Sequence, residues 1–487
     1  MTRVWLTALA VSVSIAAQQP APGGGQQAPS TTAMVLKGKA PVSNEILRVK
    51  LPKPKETDLA NGLHVMVMED RRLPQVAFQI IIPGAGGYFD PPDQIGLATT
   101  TATLMREGTK TRTSPQISEA LETMSATLVV TSSPSGLNAS FAGSSLTEDL
   151  DRLMDLTADI LLNPSFPADE WERLRTRTKA GLQQQRTQPG FLAAETLNRI
   201  VFGDHPAARM TTTAAALDAM TPARMSEFHR TRYAPDHAAI AFSGDISLDE
   251  AKKLAEAKLG AWKKAGIPKP ASVEPDNMGT PKVFLIARPG SVQTTLAIGT
   301  QSMKRTDPDY TALTVANRVL GGPMGRLFRH LREEKGYTYG IGSFFSAPTH
   351  RGSWQASTSV RTEVTEPALT DLLAEIAELR EKPIPEKELA DTKRAVVANF
   401  ALSLENPQQV LGYYVDSWVY RLPADYWDTY PARIEAITVQ QAQAAAKKYL
   451  DPSRLHIVAV GDAAKVTEIL KKKGTVETYD ADGKPIK

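Results

Sequence analysis

Met220-Thr-Pro-Ala-Arg-Met-Ser-Glu-Phe228, leading through Tyr233 to Ala239-Ile-Ala-Phe-Ser-Gly-Asp245, is matched late in the chain by Ile437-Thr-Val-Gln-Gln-Ala-Gln-Ala-Ala445, leading through Tyr449 to Ile457-Val-Ala-Val-Gly-Asp462. The offsets 438 − 221 and 462 − 245 are both 217. Upstream, Leu146-Thr-Glu148, Pro167 and Gln188-Pro189 parallel Val364-Thr-Glu366, Pro385 and Asn406-Pro407, each 218 residues on (366 − 148, 385 − 167, 407 − 189). A register held over about a hundred residues identifies two copies of one domain, the first thing to settle before assigning elements.

Each copy carries the same pattern. Gly62–Met68, entered through an Asn61-Gly62 turn, and Val76–Ile82 read as strands, as do Val283–Ala287 and Thr295–Gly299. Leu150–Leu162 and Leu372–Leu379 have apolar residues at three- and four-residue spacing. Longer helices are expected at 168–186 and 386–404, short strands at 239–243 and 457–460, and a helix after Asp249. Grouped strands and grouped helices predict an α+β fold of two homologous α/β-roll domains. The Pro- and Gly-dense stretch 266–281 separates them as a linker. The expected layout is a signal peptide at 1–16, a flexible leader at 17–48, domains at 49–265 and 282–475, and a tail at 476–487.

The chain has 487 residues, no cysteine and seven histidines, and 56 basic against 53 acidic residues leave it at +3. A charge so near balance gives no reason to expect nucleic acid as a partner. Without cysteine, disulfides, thiolate zinc sites and Cys nucleophiles are excluded. Arg3 followed by an apolar run from Val4 to Ile15 and small residues reads as a cleaved export signal, so a periplasmic or secreted protein is expected. No later stretch approaches the roughly 18 apolar residues of a membrane span, so a soluble mature chain is expected. No two histidines stand at i, i+4, and all seven read as isolated surface or core residues.

Two segments carry the functional information. After the turn-rich stretch 84–93 comes Gly96-Leu-Ala-Thr-Thr-Thr-Ala-Thr-Leu-Met-Arg-Glu-Gly-Thr109. In the second copy stands Gly321-Gly-Pro-Met-Gly-Arg-Leu-Phe-Arg-His-Leu-Arg-Glu-Glu-Lys-Gly-Tyr-Thr-Tyr-Gly-Ile-Gly-Ser-Phe344. There Leu327–Lys335 is predicted to be a helix stopped by Gly336. A strand from Tyr337 follows, with Tyr337 and Tyr339 on one face.

Both segments resemble the pitrilysin/insulinase-type zinc metallopeptidases and the related processing peptidases, and the resemblance runs from residue 50 to about 470. The family's inverted zinc motif, G-L-A-H-F-L-E-H-M-x-F-x-G-T, places two His at i and i+4 on one helical face beside a general-base Glu. Here the frame Gly96-Leu97-Ala98 and Gly108-Thr109 stays, while Thr99 and Thr103 replace the histidines and Ala102 replaces the Glu. Counting from Asn163-Pro164 and Glu172-Arg173, the third ligand position falls at Ala180-Gly181, also without a carboxylate. Threonine hydroxyls are poor zinc ligands beside imidazole, and alanine accepts no proton, so no metal is expected in this chain.

The second segment follows the family's C-terminal pattern, G-G-x-x-x-S-R-L-F-x-x-L-R-E-x-x-G-x-x-Y, nearly without gaps: it is one residue shorter after the two glycines and has Gly325 in place of the Ser. There the matching Arg and Tyr hydrogen-bond the substrate carbonyl near the metal, which implies that role for Arg332 and Tyr339. On spacing alone, Arg332 could instead pair with a nearby Glu on a solvated helix face while Tyr339 packs in the sheet. The resemblance also implies that extended peptide adds to the edge strand at Leu128, Val129, Val130 and Thr131, unless Pro134 blunts that edge. Together these imply a non-catalytic, substrate-binding subunit. Zinc would sit in a homologous partner of a heterodimer, and peptides or unfolded polypeptides would be cleaved. Two readings stand beside it: a non-enzymatic peptide-binding or scaffold homodimer, and a chain that is itself an active hydrolase.

Overall fold

The computed structural model of the protein describes residues 51–264, 271–276 and 279–486. The expected signal peptide and leader (1–16 and 17–48), and residues 266–270 and 277–278 of the linker 266–281, fall outside the described residues.

Two six-stranded mixed sheets form. The first has β1 (Lys55–Asp58), β2 (His64–Glu69), β3 (Gln75–Pro83), β4 (Thr127–Ser132), β5 (Asn138–Leu146) and β6 (Ala239–Gly244), in the order β1-β2-β6-β3-β5-β4. The second has β7 (Val283–Ala287), β8 (Gln293–Gln301), β9 (Thr338–Phe345), β10 (Ser353–Arg361), β11 (His456–Gly461) and β12 (Val476–Tyr479), in the order β12-β7-β11-β8-β10-β9. The duplication recurs in three dimensions at the sequence offsets. Nine-residue strands β3 and β8 begin at Gln75 and Gln293 (293 − 75 = 218), and β6 and β11 begin at Ala239 and His456 (456 − 239 = 217). The expected helices appear as Leu150–Leu162, Ala168–Arg186, Thr365–Glu381, Glu386–Ser403 and Leu248–Leu259.

The expected tail is part of the second sheet. β12 pairs parallel to β7, and the Tyr479 ring stacks on Phe284 at 5.7 Å. It takes the outer place that β1, from the chain's other end, takes antiparallel to β2 in the first sheet. The Val476-Glu-Thr-Tyr479 segment is half-buried, and its aromatic ring supplies the apolar contact a short outer strand needs.

Each copy has a core of its own between its sheet and its own helices. The opposite sheet faces are covered reciprocally. The helix Pro189–Phe202 of the first copy lays Leu192, Leu197 and Val201 against Phe284, Ile286 and Val458 of the second sheet. Its counterpart Pro407–Tyr420 lays Val410, Leu411 and Val415 against Met66, Met68 and Ala241 of the first. β6 and β11 are thereby buried on both faces, which is why both read as unbroken apolar runs instead of alternating ones. The boundaries expected at 265 and 282 therefore divide the sequence repeats, while packing crosses between them.

Candidate functional site

The helix Leu97–Met105 follows Gly96, whose φ of +97° suits glycine. A Cβ there would lie 2.6 Å from that of Thr212. Asp90, only 4% exposed, accepts hydrogen bonds from the Gly96 and Ala98 amides at 2.7 and 2.9 Å, holding the helix start. Burial raises its carboxyl to about 6 against the hydrogen bonds that lower it. Ala98 and Ala102 are fully buried, and Thr109 Oγ1 donates to Asp159 at 2.7 Å. The frame residues Gly96, Ala98 and Thr109 thus each have a packing, capping or turn role.

Thr99 and Thr103 are half-buried, and one turn apart they share a helix face. Thr103 Oγ1 donates to the Thr99 carbonyl at 3.0 Å, and Thr99 Oγ1 is buried without a partner. Ala180 lies exposed on the helix Ala168–Arg186. Among the described residues no group of three or more His, Asp or Glu is disposed to hold a metal ion. Two threonine hydroxyls, one already engaged with its own helix, do not fit the imidazole and carboxylate donors that zinc takes.

β4 is the edge of the first sheet, paired with β5 alone. Leu128 and Val130 point into the core, whereas Val129, 48% exposed, and Thr131 point out. Pro134 lies beyond the end of the strand at Ser132, so it does not interrupt this edge.

Arg332 lies in the helix expected at 327–335, which takes a π-helical form. Phe328–Glu334 is a π-helical turn in which the Lys335 amide reaches back to the His330 carbonyl at 3.0 Å, widening the last turn. Buried Leu327 and Leu331 anchor it, and Gly336 at φ +61° ends it with its amide on the Arg332 carbonyl. The Arg332 guanidinium carbon lies 4.6 Å from the Phe328 ring centroid and 5.1 Å from that of Tyr339. Its nearest carboxylate is Glu333, with Nε 3.7 Å from Oε1.

Tyr339 is 90% exposed, so it does not pack in the sheet. The strand starts at Thr338 instead of Tyr337, and both tyrosines line one groove of about 760 Å3. The groove runs between the second sheet, with Gln293, Thr295 and Ser357, and Ala193 and Ala194 of the helix Pro189–Phe202. Arg332 and Tyr339 are brought together. β4 belongs to the other sheet and shares none of this groove.

One cluster escapes sequence reading. His205 and His350, expected to be isolated, have ring centroids 5.1 Å apart, and both pack on Tyr88. Tyr88 Oη lies 3.1 Å from His205 Nε2 and accepts from the Val273 amide at 2.9 Å. Burial, then the neighbouring His205, pushes His350 down to about 4, and burial with Lys282 does the same to His456. An unfolded chain takes up these protons near 6.5, so the stability both groups contribute at pH 7 is lost as the pH falls towards 4. Between pH 7 and pH 5 each loses about 1–2 kcal/mol, and Asp90, shifted upward, returns about 1. Urea unfolding should show a net loss across that interval. His350→Gln should reduce it by about 1–2 kcal/mol, and an unchanged slope would contradict the assignment.

Comparison with known proteins gives a consistent family. Residues 65–214 match the family described as Insulinase (Peptidase family M16), and residues 219–396 match the Peptidase M16 inactive domain. An uncharacterized zinc protease of Mycobacterium tuberculosis is 27% identical over 296 residues, 59% of this chain and 66% of that protein, just under two thirds of its length. A Helicobacter pylori protein named a non-peptidase homolog is 23% identical over 89% of this chain and 96% of its own. Among solved structures, a peptidase M16 inactive domain protein from Pseudomonas fluorescens superposes with a TM-score of 0.79 at 28% identity, covering 84% of this chain and 98% of that one. A Helicobacter pylori protease reaches 0.78 at 16% identity over 84% and 100% of the two chains, a likeness of fold alone.

Proposed function

The chain belongs to the M16 (insulinase) peptidase family, and from that premise we propose that it is a non-catalytic member, the substrate-binding subunit of a two-subunit zinc metallopeptidase. A homologous partner with an intact His-x-x-Glu-His motif would hold the metal and the general base. This chain would hold the peptide, with the Arg332 guanidinium and the Tyr339 hydroxyl donating hydrogen bonds to the oxygen of the scissile carbonyl as charge builds on it.

The observation that carries this reading is the asymmetry between the halves. The positions matching the metal motif hold Thr99, Ala102, Thr103 and Ala180, while Arg332 and Tyr339 match the C-terminal pattern, the guanidinium stacked on a ring that lines an open groove. A guanidinium supported by two rings and a hydroxyl turned to solvent suit a substrate that arrives from outside. The groove lining carries hydroxyls and amides, among them Gln293, Thr295, Gln355 and Ser357, that could pair with the backbone of an extended peptide. The β4 edge, with Val129 and Thr131 outward, offers a second place for such a segment to pair. On the strength of residues 1–16 the assembly is read as periplasmic or secreted.

The test is reconstitution. Mixed with a zinc-bearing homologue from the same genome, the chain should co-elute as a heterodimer and raise cleavage of an unfolded polypeptide. A stable homodimer that binds peptide, and leaves the homologue's activity unchanged, would replace this reading with that of a scaffold.

A further inference from the structure

Tyr339 should not be exposed by strand alternation, because Ile341, two residues on, is buried in the second core. The reason is a fault in the β9–β10 ladder. Ile341 faces Thr358 and Thr338 faces Val360, so Tyr339 and Gly340 together oppose Ser359 alone, which makes a β-bulge. Two threonine hydroxyls close it. The Gly340 amide donates to Thr338 Oγ1 at 3.1 Å, Thr338 Oγ1 donates to the Ser359 carbonyl at 2.8 Å, and Thr358 Oγ1 donates to the Gly340 carbonyl at 3.0 Å. The two hydroxyl oxygens lie 2.8 Å apart, and Thr358 is buried. These bonds satisfy backbone groups that the bulge removes from the ladder.

We propose that Thr358 and Thr338 are positioning residues, whose hydroxyls lock the bulge that turns Tyr339 out of the sheet and onto the Arg332 guanidinium. The inference rests on the reading of Arg332 and Tyr339 as substrate-binding donors.

Thr358→Val keeps the shape and removes the hydroxyl, and two measurements test it. In the full chain alone, amide exchange at Tyr339 and Gly340 should accelerate at least about tenfold while the helix Pro189–Phe202 is unaffected, and Thr358→Ser should restore the native rate. In the reconstituted heterodimer, Thr358→Val should lower kcat about tenfold with KM within about twofold, and add no further loss to Tyr339→Phe. Unchanged exchange in Thr358→Val overturns the proposal whatever the activity does. An equal additional loss in the Tyr339→Phe background also overturns it, because the residue would then act on the fold at large. Full activity of Tyr339→Phe would instead remove the reading of the pair itself, while the exchange experiment still decides whether the hydroxyls hold the bulge.

Discussion

In the proposed heterodimeric peptidase, Arg332→Ala is expected to lower kcat/KM about 10²–10³-fold, about 3–4 kcal/mol of transition-state stabilisation, with the partner's zinc content unchanged. The guanidinium is held between the rings of Phe328 and Tyr339, so its fork is oriented before substrate arrives. Such a donor stabilises developing negative charge without reorganising at the moment of reaction. Arg332→Lys should recover only part of the loss, because an ammonium keeps the charge but not the planar fork or the stacking. Steady-state kinetics on a peptide substrate reads both. Activity within about twofold of the parent in Arg332→Ala would remove Arg332 from the site.

Trp354→Ala should cost about 3–5 kcal/mol in urea unfolding of the chain. Trp354 is fully buried in β10, facing Thr300 of β8 and Phe345 of β9 in the ladder. Its indole Nε1 donates to Asn317 Oδ1 at 2.7 Å, and Ser343 Oγ donates to the same oxygen at 2.7 Å. Truncation opens a cavity beneath the strand that carries Tyr339 and removes one of two donors to the half-buried Asn317 amide. Trp354→Phe fills most of the cavity and loses the hydrogen bond, so about 1–2 kcal/mol is expected there. A loss below 1 kcal/mol for the alanine variant would mean that the second core does not depend on this side chain.

Much of the architecture is legible in the residues, for reasons that can be located. The duplication declares itself through turn and cap residues such as Thr221 and Thr438, each of which accepts a hydrogen bond from the first turn of its helix. Leu150–Leu162 is readable because its apolar stripe faces one core. The crossing of Pro189–Phe202 and Pro407–Tyr420 onto each other's sheets is not readable, since an apolar helix face does not name its partner. The outer strand at 476–479 was hidden by its shortness. The Arg332–Tyr339 pair was legible only through resemblance. Spacing predicted an ordinary helix and an alternating strand, and the structure has a π-helical turn and a bulge, two departures from regular period that bring the side chains together. His205 and His350, 145 residues apart (350 − 205), carry no local signal at all.

The kept frame around the altered zinc motif is equally physical. Gly96, Ala98 and Thr109 stand where helix start, core and turn need them. The most direct test of the account is zinc content measured with peptide cleavage, for the purified chain alone and after mixing with a homologue that carries the intact motif. On this account, the chain alone should hold no stoichiometric zinc and cleave nothing, and cleavage should appear on mixing and disappear with Arg332→Ala. One zinc per chain, together with cleavage by the chain on its own, would contradict it.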